Sequence, residues 1–376
     1  MKLAKRNAVA WRSWLDPWLA GGRARLLPGL LLLPLSSVVA AHHGPPLLLF
    51  GISALGLIPL ALLLSQATDA IAERSGPTIG ALCIAVFGNI AELIIALTAL
   101  REGLVDVVKA SVTGAILSDL LLVTGLAMLC GGLRHSEQHF QPAAVRTNGA
   151  VMTLAVIALS LPAALIATSG IDDPVAIEGL SMTVAVILIL IYGLLLVFSL
   201  VTHQHFFEPL ALDDDADHAI DASIPLAAWV VLLLCSTAGL ALQSELFVST
   251  LEPAADTLGF SPLFTGVIVV PIVGGFSEYV PAVRGALRNQ MDLPLSLAMG
   301  SSLMVALLMA PALVFSSKWM HQTMNLDFTG FEVLAIGLGV VIVNLVTNDA
   351  RSNWLEGMML LATYAIIGAA FFYYPV

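Results

Sequence analysis

The residues in this chain best suited to carry chemistry are two glutamates, Glu92 and Glu278, because each is set in a long apolar run. The first run reads Gly88-Asn89-Ile90-Ala91-Glu92-Leu93-Ile94-Ile95-Ala96-Leu97, and no Lys or Arg follows until Arg101. An ionised carboxylate at the middle of a bilayer costs at least ~2.5 kcal/mol on insertion scales. Such a group must be protonated, paired with a cation or open to water. A carboxylate that alternates between a proton and a metal cation meets this constraint at every step. Asn89 adds an amide oxygen, and Gly88 loosens the helix so that backbone carbonyls can reach an ion. Oxygen ligands of this kind suit hard cations such as Ca2+.

The second run reads Pro271-Ile272-Val273-Gly274-Gly275-Phe276-Ser277-Glu278-Tyr279. Pro271, Gly274 and Gly275 should break or kink its helix. Two carboxylates can neutralise one divalent ion, so Glu92 and Glu278 are the candidate metal ligands. Once the ion leaves, repulsion and poor solvation favour protonation. That is a physical basis for exchanging a cation for protons. The plainer reading, that each glutamate only bonds to a neighbouring helix, would have to hold twice.

Around this pair stand further candidates. Asp119 reads equally as a third acid near the ion, a member of a proton relay or a residue bonded to a neighbouring helix. Ser118, Ser277 and Ser301 offer oxygens, although serine is also common in membrane helix packing. Tyr279 could bond to Glu278 or simply fill space. Asp69 and Glu73, four residues apart, suit either an entrance or a solvated helix end. His203, His205 and His218 adjoin an acidic run, Asp213 to Asp217. Asp172, Asp173, Glu178, Glu245, Glu252 and Asp256 read as loop acids on the outer side.

The elements that must position these groups follow from composition. The chain has 376 residues, 59% hydrophobic and 11% charged, with a net charge of −11. Soluble domains carry about 25% charged residues, and the apolar blocks approach the roughly 20 residues that cross a bilayer as a helix. The alternation of barrel strands is absent, so the fold class is an all-α polytopic membrane protein. We place spans at 26–42, 46–66, 78–100, 104–130, 143–167, 175–201, 225–248, 262–283, 293–316, 330–347 and 354–374. Lys and Arg concentrate on one side of that arrangement, 12 against 3, which puts the N-terminus in the cytoplasm and the C-terminus outside. Lys2, Lys5, Arg6 and Arg12 before an apolar run resemble a signal peptide. The long basic region with Trp11, Trp14 and Trp18 fits a retained first helix better. Cys83, Cys130 and Cys235 lie in apolar runs and read as packing residues.

The chain also repeats itself. At an offset of 186, Gly80 falls on Gly266, Gly88 on Gly274, Glu92 on Glu278, Asp106 on Asp292 and Gly114 on Gly300. The organisation is then an N-terminal arm (1–25), a leading helix (26–45), a first five-helix repeat (46–202), an acidic cytoplasmic linker (203–224) and a second five-helix repeat (225–376). An odd number of spans per half inverts one half against the other, a common transporter plan with its site at the midplane.

The segment from Gly88 to Leu97 resembles the first signature, G-N-x-x-E-L-I-I, of the cation/proton exchanger family within the calcium/cation antiporters. The resemblance continues through Gly131-Gly132-Leu133-Arg134, Arg146-Thr147-Asn148, Leu251-Glu252-Pro253 and Ser352-Asn353-Trp354-Leu355-Glu356-Gly357. It implies an eleven-helix antiporter that exports Ca2+ or a related cation in exchange for protons, with Glu92 and Glu278 as its signature glutamates; separately, the membrane is expected to be a bacterial-type inner membrane. The second signature departs from the family's G-N-A-A-E-H, with Gly275 for asparagine and Tyr279 for histidine. Met304 stands where the family has glutamine, and Asp119 where it has asparagine.

Three functional classes stay on the table: Ca2+/proton antiport, monovalent Na+ or K+/proton antiport, and a non-transporting membrane sensor or partner-binding module. The acidic balance argues against nucleic-acid binding. No nucleophile–base set, phosphate loop or His-rich motif argues for an enzyme or a cofactor. The expected partners are an inorganic cation, protons and the lipid bilayer, with homo-oligomerisation left open.

Overall fold

The computed structural model describes residues 26–170, 173–207 and 224–374. The arm over 1–25 lies outside them, as do Asp172, His218 and the acidic run Asp213 to Asp217. Thirteen helices are described here: α1 (Pro28–Ala41), α2 (Pro46–Arg74), α3 (Pro77–Phe87), α4 (Ile90–Arg101), α5 (Val105–Arg134), α6 (Pro142–Ser169), α7 (Pro174–Thr202), α8 (Leu226–Leu258), α9 (Pro262–Gly274), α10 (Phe276–Leu287), α11 (Asp292–Trp319), α12 (Gly330–Val346) and α13 (Trp354–Tyr373). Among the described residues, seven of these helices are each long and apolar enough to cross a membrane, and the bent pair α9–α10 brings that to eight. The protein is an all-α polytopic membrane protein. Helical stretches overlap the eleven expected spans, but α1 and α12 fall short of a full span, the third stretch is split into α3 and α4, and the count that can cross a membrane is seven or eight.

Helix starts follow local chemistry. Pro stands in the first turn of α2, α6, α7 and α9, where the missing N–H is not needed. Thr329 and Glu332 form a capping box on α12, with Thr329 N–H to Glu332 Oε2 at 2.8 Å and Glu332 N–H to Thr329 Oγ1 at 3.2 Å. Asn353 and Glu356 do the same for α13. Two expected boundaries need correction. Helix α2 runs on to Arg74, so Asp69 and Glu73 belong to its last turns instead of following it. Helix α8 runs to Leu258, so Glu252 and Asp256 are helical. Polar residues end a hydropathy run without ending the hydrogen-bond ladder, which moved both sequence boundaries inward.

The chain divides into two compact units. Among the described residues, one comprises 26–87 and 224–251, the other 88–170, 173–207 and 252–374. In the first, α1, α2 and α8 are joined by Gln243, whose Oε1 accepts from Ser36 Oγ at 3.1 Å and whose Nε2 donates to Ser53 O at 3.2 Å. Phe50 and Phe247 stack beside it with centroids 5.1 Å apart.

The second unit has two ends. At one, His135 meets Leu287 O at 3.2 Å, Gln138 Nε2 donates to Ala286 O at 2.8 Å, and Gln141 N–H donates to Asp292 Oδ1 at 2.6 Å. There β1 (Gln138–His139) pairs antiparallel with β2 (Arg351–Ser352). At the other end, Lys109 Nζ donates to Asn325 Oδ1 at 3.2 Å, Lys318 pairs with Glu178 at 2.6 Å, and Thr113 Oγ1 donates to Glu332 Oε1 at 3.2 Å. The start of α5 therefore lies with the end of α11, and the end of α5 with the start of α11. These repeat counterparts run in opposite directions, as inverted halves must. Both also carry an internal π-type turn, Ser118–Val123 in α5 and Val305–Met309 in α11.

Candidate functional site

The site is built from five helices of the second unit, α4, α5, α9, α10 and α11. Helix α3 ends at Phe87 and α4 begins at Ile90, with Asn89 at φ −110° and ψ 24° in the break. The counterpart break falls at Gly275, where α9 and α10 meet at 61°. Glycine and proline were the sequence signals for the second break, where Pro271 stands on the α9 side; at the first, Gly88 was read only as loosening a continuous helix. Each break ends just before a glutamate, so Glu92 and Glu278 both sit in the first turn of a helix. That is the end of a helix where the backbone dipole favours negative charge.

Glu92 and Glu278 are buried, and Oε2 of each has no hydrogen-bond partner. Glu92 packs against the second break: a Cβ placed on Gly274 would lie 3.2 Å from Glu92 Cγ. A cavity beside it is lined by Asn89, Glu92, Ser118, Asp119, Pro271 and Ser301, among others. Glu278 does not line this cavity directly. Its sequence neighbour Tyr279 bonds at 3.0 Å to Ser118, the residue before Asp119, which is itself buried.

The remaining predicted residues fall as follows. Asn89 donates to Ser301 Oγ and, at 3.4 Å, to Ser301 O, so its amide oxygen is left for other partners. Asp119 accepts from Ser302 Oγ at 3.4 Å, and Ser302 was not among the candidates although it stands next to Ser301. Ser118 bonds to Tyr279 across 3.0 Å. The Tyr279 hydroxyl therefore does not bond to Glu278; it bonds to Ser118 and approaches Pro271 O at 3.5 Å. Gly88 and Gly274 shape the two breaks and do not line the cavity, nor does Met304, which is buried.

Among the described residues, no three His, Cys, Asp or Glu side chains converge closely enough to hold a metal ion. Asp119, Glu92 and Glu278 are near neighbours, but in this conformation they do not face one point. A hard cation would take oxygens from two kinds of source, the carboxylates and the amide and hydroxyl groups around them.

A buried, oxygen-rich site between inverted, broken helices defines a polytopic membrane transporter of the inverted-repeat kind. The family of sodium/calcium exchanger proteins matches the chain over residues 45–201 and 228–373, one block in each half. The chain belongs to that family. It is 45% identical over 357 residues to the Ca(2+)/H(+) antiporter of Aphanothece halophytica, covering 92% of this chain and 96% of that one. It is 37% identical over 341 residues to the Ca(2+)/H(+) antiporter ChaA of Bacillus subtilis (strain 168), covering 90% and 96%. The solved structure of native YfkE superposes with a TM-score of 0.78 at 33% identity, covering 92% of this chain and 99% of that one. The H+/Ca2+ exchanger CAX shows the same fold, with a TM-score of 0.71 at 16% identity over 93% and 91% of the two chains.

Proposed function

We propose that this protein is a secondary antiporter that exchanges cytoplasmic Ca2+ for external protons through Glu92 and Glu278. Its relatives named as Ca(2+)/H(+) antiporters support cation/proton exchange as the class of activity. The observation that carries the reading is the pair of buried, unpartnered carboxylate oxygens at repeat-related positions. A divalent cation satisfies both. Protons satisfy them when the cation has gone, because a bare carboxylate in a dry site is costly. Occupancy by one ligand excludes the other, and that exclusion is what couples their movements.

Each residue has a part in this scheme. Glu92 and Glu278 bind the cation or the protons. Asn89 and Ser301 contribute oxygens and hold each other in place. Ser118 and Asp119 form the α5 wall, with Asp119 as a third carboxylate beside Glu278. Gly88 and Gly274 keep the two breaks open to close approach. The five-helix repeats, 46–202 and 225–376, rock against a site that both supply, with the N-terminus in the cytoplasm and the C-terminus outside.

The experiment is uptake of radioactive 45Ca into everted membrane vesicles under an imposed pH gradient. Uptake that requires the gradient and collapses with a protonophore is the expected result. Flux of Na+ or K+ without Ca2+ flux would move the assignment to monovalent exchange, a reading favoured by the absence of an amide at Gly275. No gradient-driven flux of any of these cations would remove the exchange reading altogether.

A further inference from the structure

At the repeat offset Asn89 falls on Gly275, so the second half lacks the amide that the first half uses at its break. Asn89 ties its break to α11 by donating to Ser301 Oγ. On the other side, the Tyr279 hydroxyl ties the start of α10 to α5 through Ser118 Oγ at 3.0 Å. Both serines line the cavity. Each also sits at a π-type turn, Ser118 opening Ser118–Val123 and Ser301 one turn ahead of Val305–Met309.

A second observation links Tyr279 to the missing side chain. Tyr279 lies four residues after Gly275, so one helical turn brings its side chain back over the break. A Cβ placed on Gly275 would lie 3.8 Å from Tyr279 Oη, 3.6 Å from Glu92 Oε1 and 3.0 Å from Pro271 O. The phenol therefore ends in the space that a longer side chain at 275 would enter. Its approach to Pro271 O at 3.5 Å also spans the bend between α9 and α10.

We infer that Tyr279 is a positioning residue that does for the second break what Asn89 does for the first, holding α10, and with it Glu278, against α5. The inference rests on the exchange site proposed above. Tyr279 acts through its sequence neighbour Glu278 and through the wall at Pro271, without itself holding the cation. The two cross-repeat bridges, Asn89 to Ser301 and Tyr279 to Ser118, make the site symmetric in its fastening although its residues differ.

The test is gradient-driven 45Ca uptake at several Ca2+ concentrations, with each protein first checked for a monodisperse profile on size-exclusion chromatography. Tyr279→Phe removes one hydroxyl and keeps the ring. We expect a roughly fivefold fall in maximal rate with little change in KM, the size of one lost hydrogen bond. Ser118→Ala should fall equally, and the double variant no further, because both remove the same bond. Gly275→Asn alone crowds the Tyr279 hydroxyl and lowers the rate. Combined with Tyr279→Phe, it places an amide in the vacated space and restores at least half of the unsubstituted rate. An unaltered rate in Tyr279→Phe, additive losses in the double variant, or no rescue by Gly275→Asn overturns the inference while leaving the exchange reading intact. Absence of gradient-driven uptake by the unsubstituted protein overturns both.

Discussion

Gly114→Ala probes how far the cavity depends on the close crossing of α5 and α9. Gly114 and Gly266 face the opposite helix at this crossing, with the Gly266 position 2.8 Å from Val107 O if a Cβ is added. A Cβ on Gly114 would fall against Val267 O and 2.6 Å from Pro271 Cγ. Carbon atoms pack at about 3.5–4.0 Å, so the proline has to retreat by roughly 1 Å. Neither obstacle is the end of a flexible chain: one is backbone, the other a proline ring inside a helix. Overpacking of this kind costs about 1–3 kcal/mol. The functional cost is larger, because Pro271 lines the cavity and its carbonyl lies beside Tyr279 Oη. A displacement of about 1 Å in a positioned site can cost about 100-fold in rate. Initial 45Ca uptake in everted vesicles, paired with thermal unfolding of the purified protein, separates the two effects. We predict a loss of rate of at least about tenfold with the protein still folded at assay temperature. A folded variant with an unsubstituted rate would refute the idea that this crossing sets the cavity wall.

Other expectations follow from the same geometry. Asp119→Asn removes the third carboxylate beside Glu278 and should raise the KM for Ca2+ by at least about tenfold while uptake persists, since a nearby charge acts strongly away from water; an unchanged KM would place Asp119 away from the ion. Thr329→Ala breaks the capping box of α12 and should lower stability by about 1 kcal/mol, read as a lower unfolding temperature in detergent with KM unchanged. Glu137→Gln removes the pair with Arg351, both partly exposed, and should shift stability by less than about 1 kcal/mol. A reporter active only outside the cytoplasm, fused after the last helix, should be active; a silent and stable fusion would contradict the proposed orientation.

The sequence made the scaffold legible because membrane helices are long apolar blocks and breaks are written in Gly and Pro. Pro271, Gly274 and Gly275 announced the second discontinuity, and the offset of 186 related the two runs, whereas the first break was read only as a helix loosened at Gly88 within one span. The ends of α2 and α8 were hidden, because Asp69, Glu73, Glu252 and Asp256 lower hydropathy without breaking a helix. The π-type turns at Ser118 and Val305 left no compositional trace. The glutamates were legible as rare residues in apolar runs, whereas the bond from Tyr279 to Ser118 was not. Side-chain pairing between distant spans depends on helix rotation, and one sequence does not state that rotation. Ser302 escaped notice for the same reason, since only its orientation distinguishes it from a packing serine.

The most direct test of the two-glutamate site compares gradient-driven 45Ca uptake by the unsubstituted protein with that of Glu92→Gln and Glu278→Gln. Glutamine keeps the shape and removes the charge and the exchangeable proton. The account predicts that either substitution alone abolishes exchange in a protein that still folds, because both glutamates are needed to hold the cation and to take up protons once it has left, and Asp119 does not replace either of them. Exchange at an unsubstituted rate in either folded variant would contradict it.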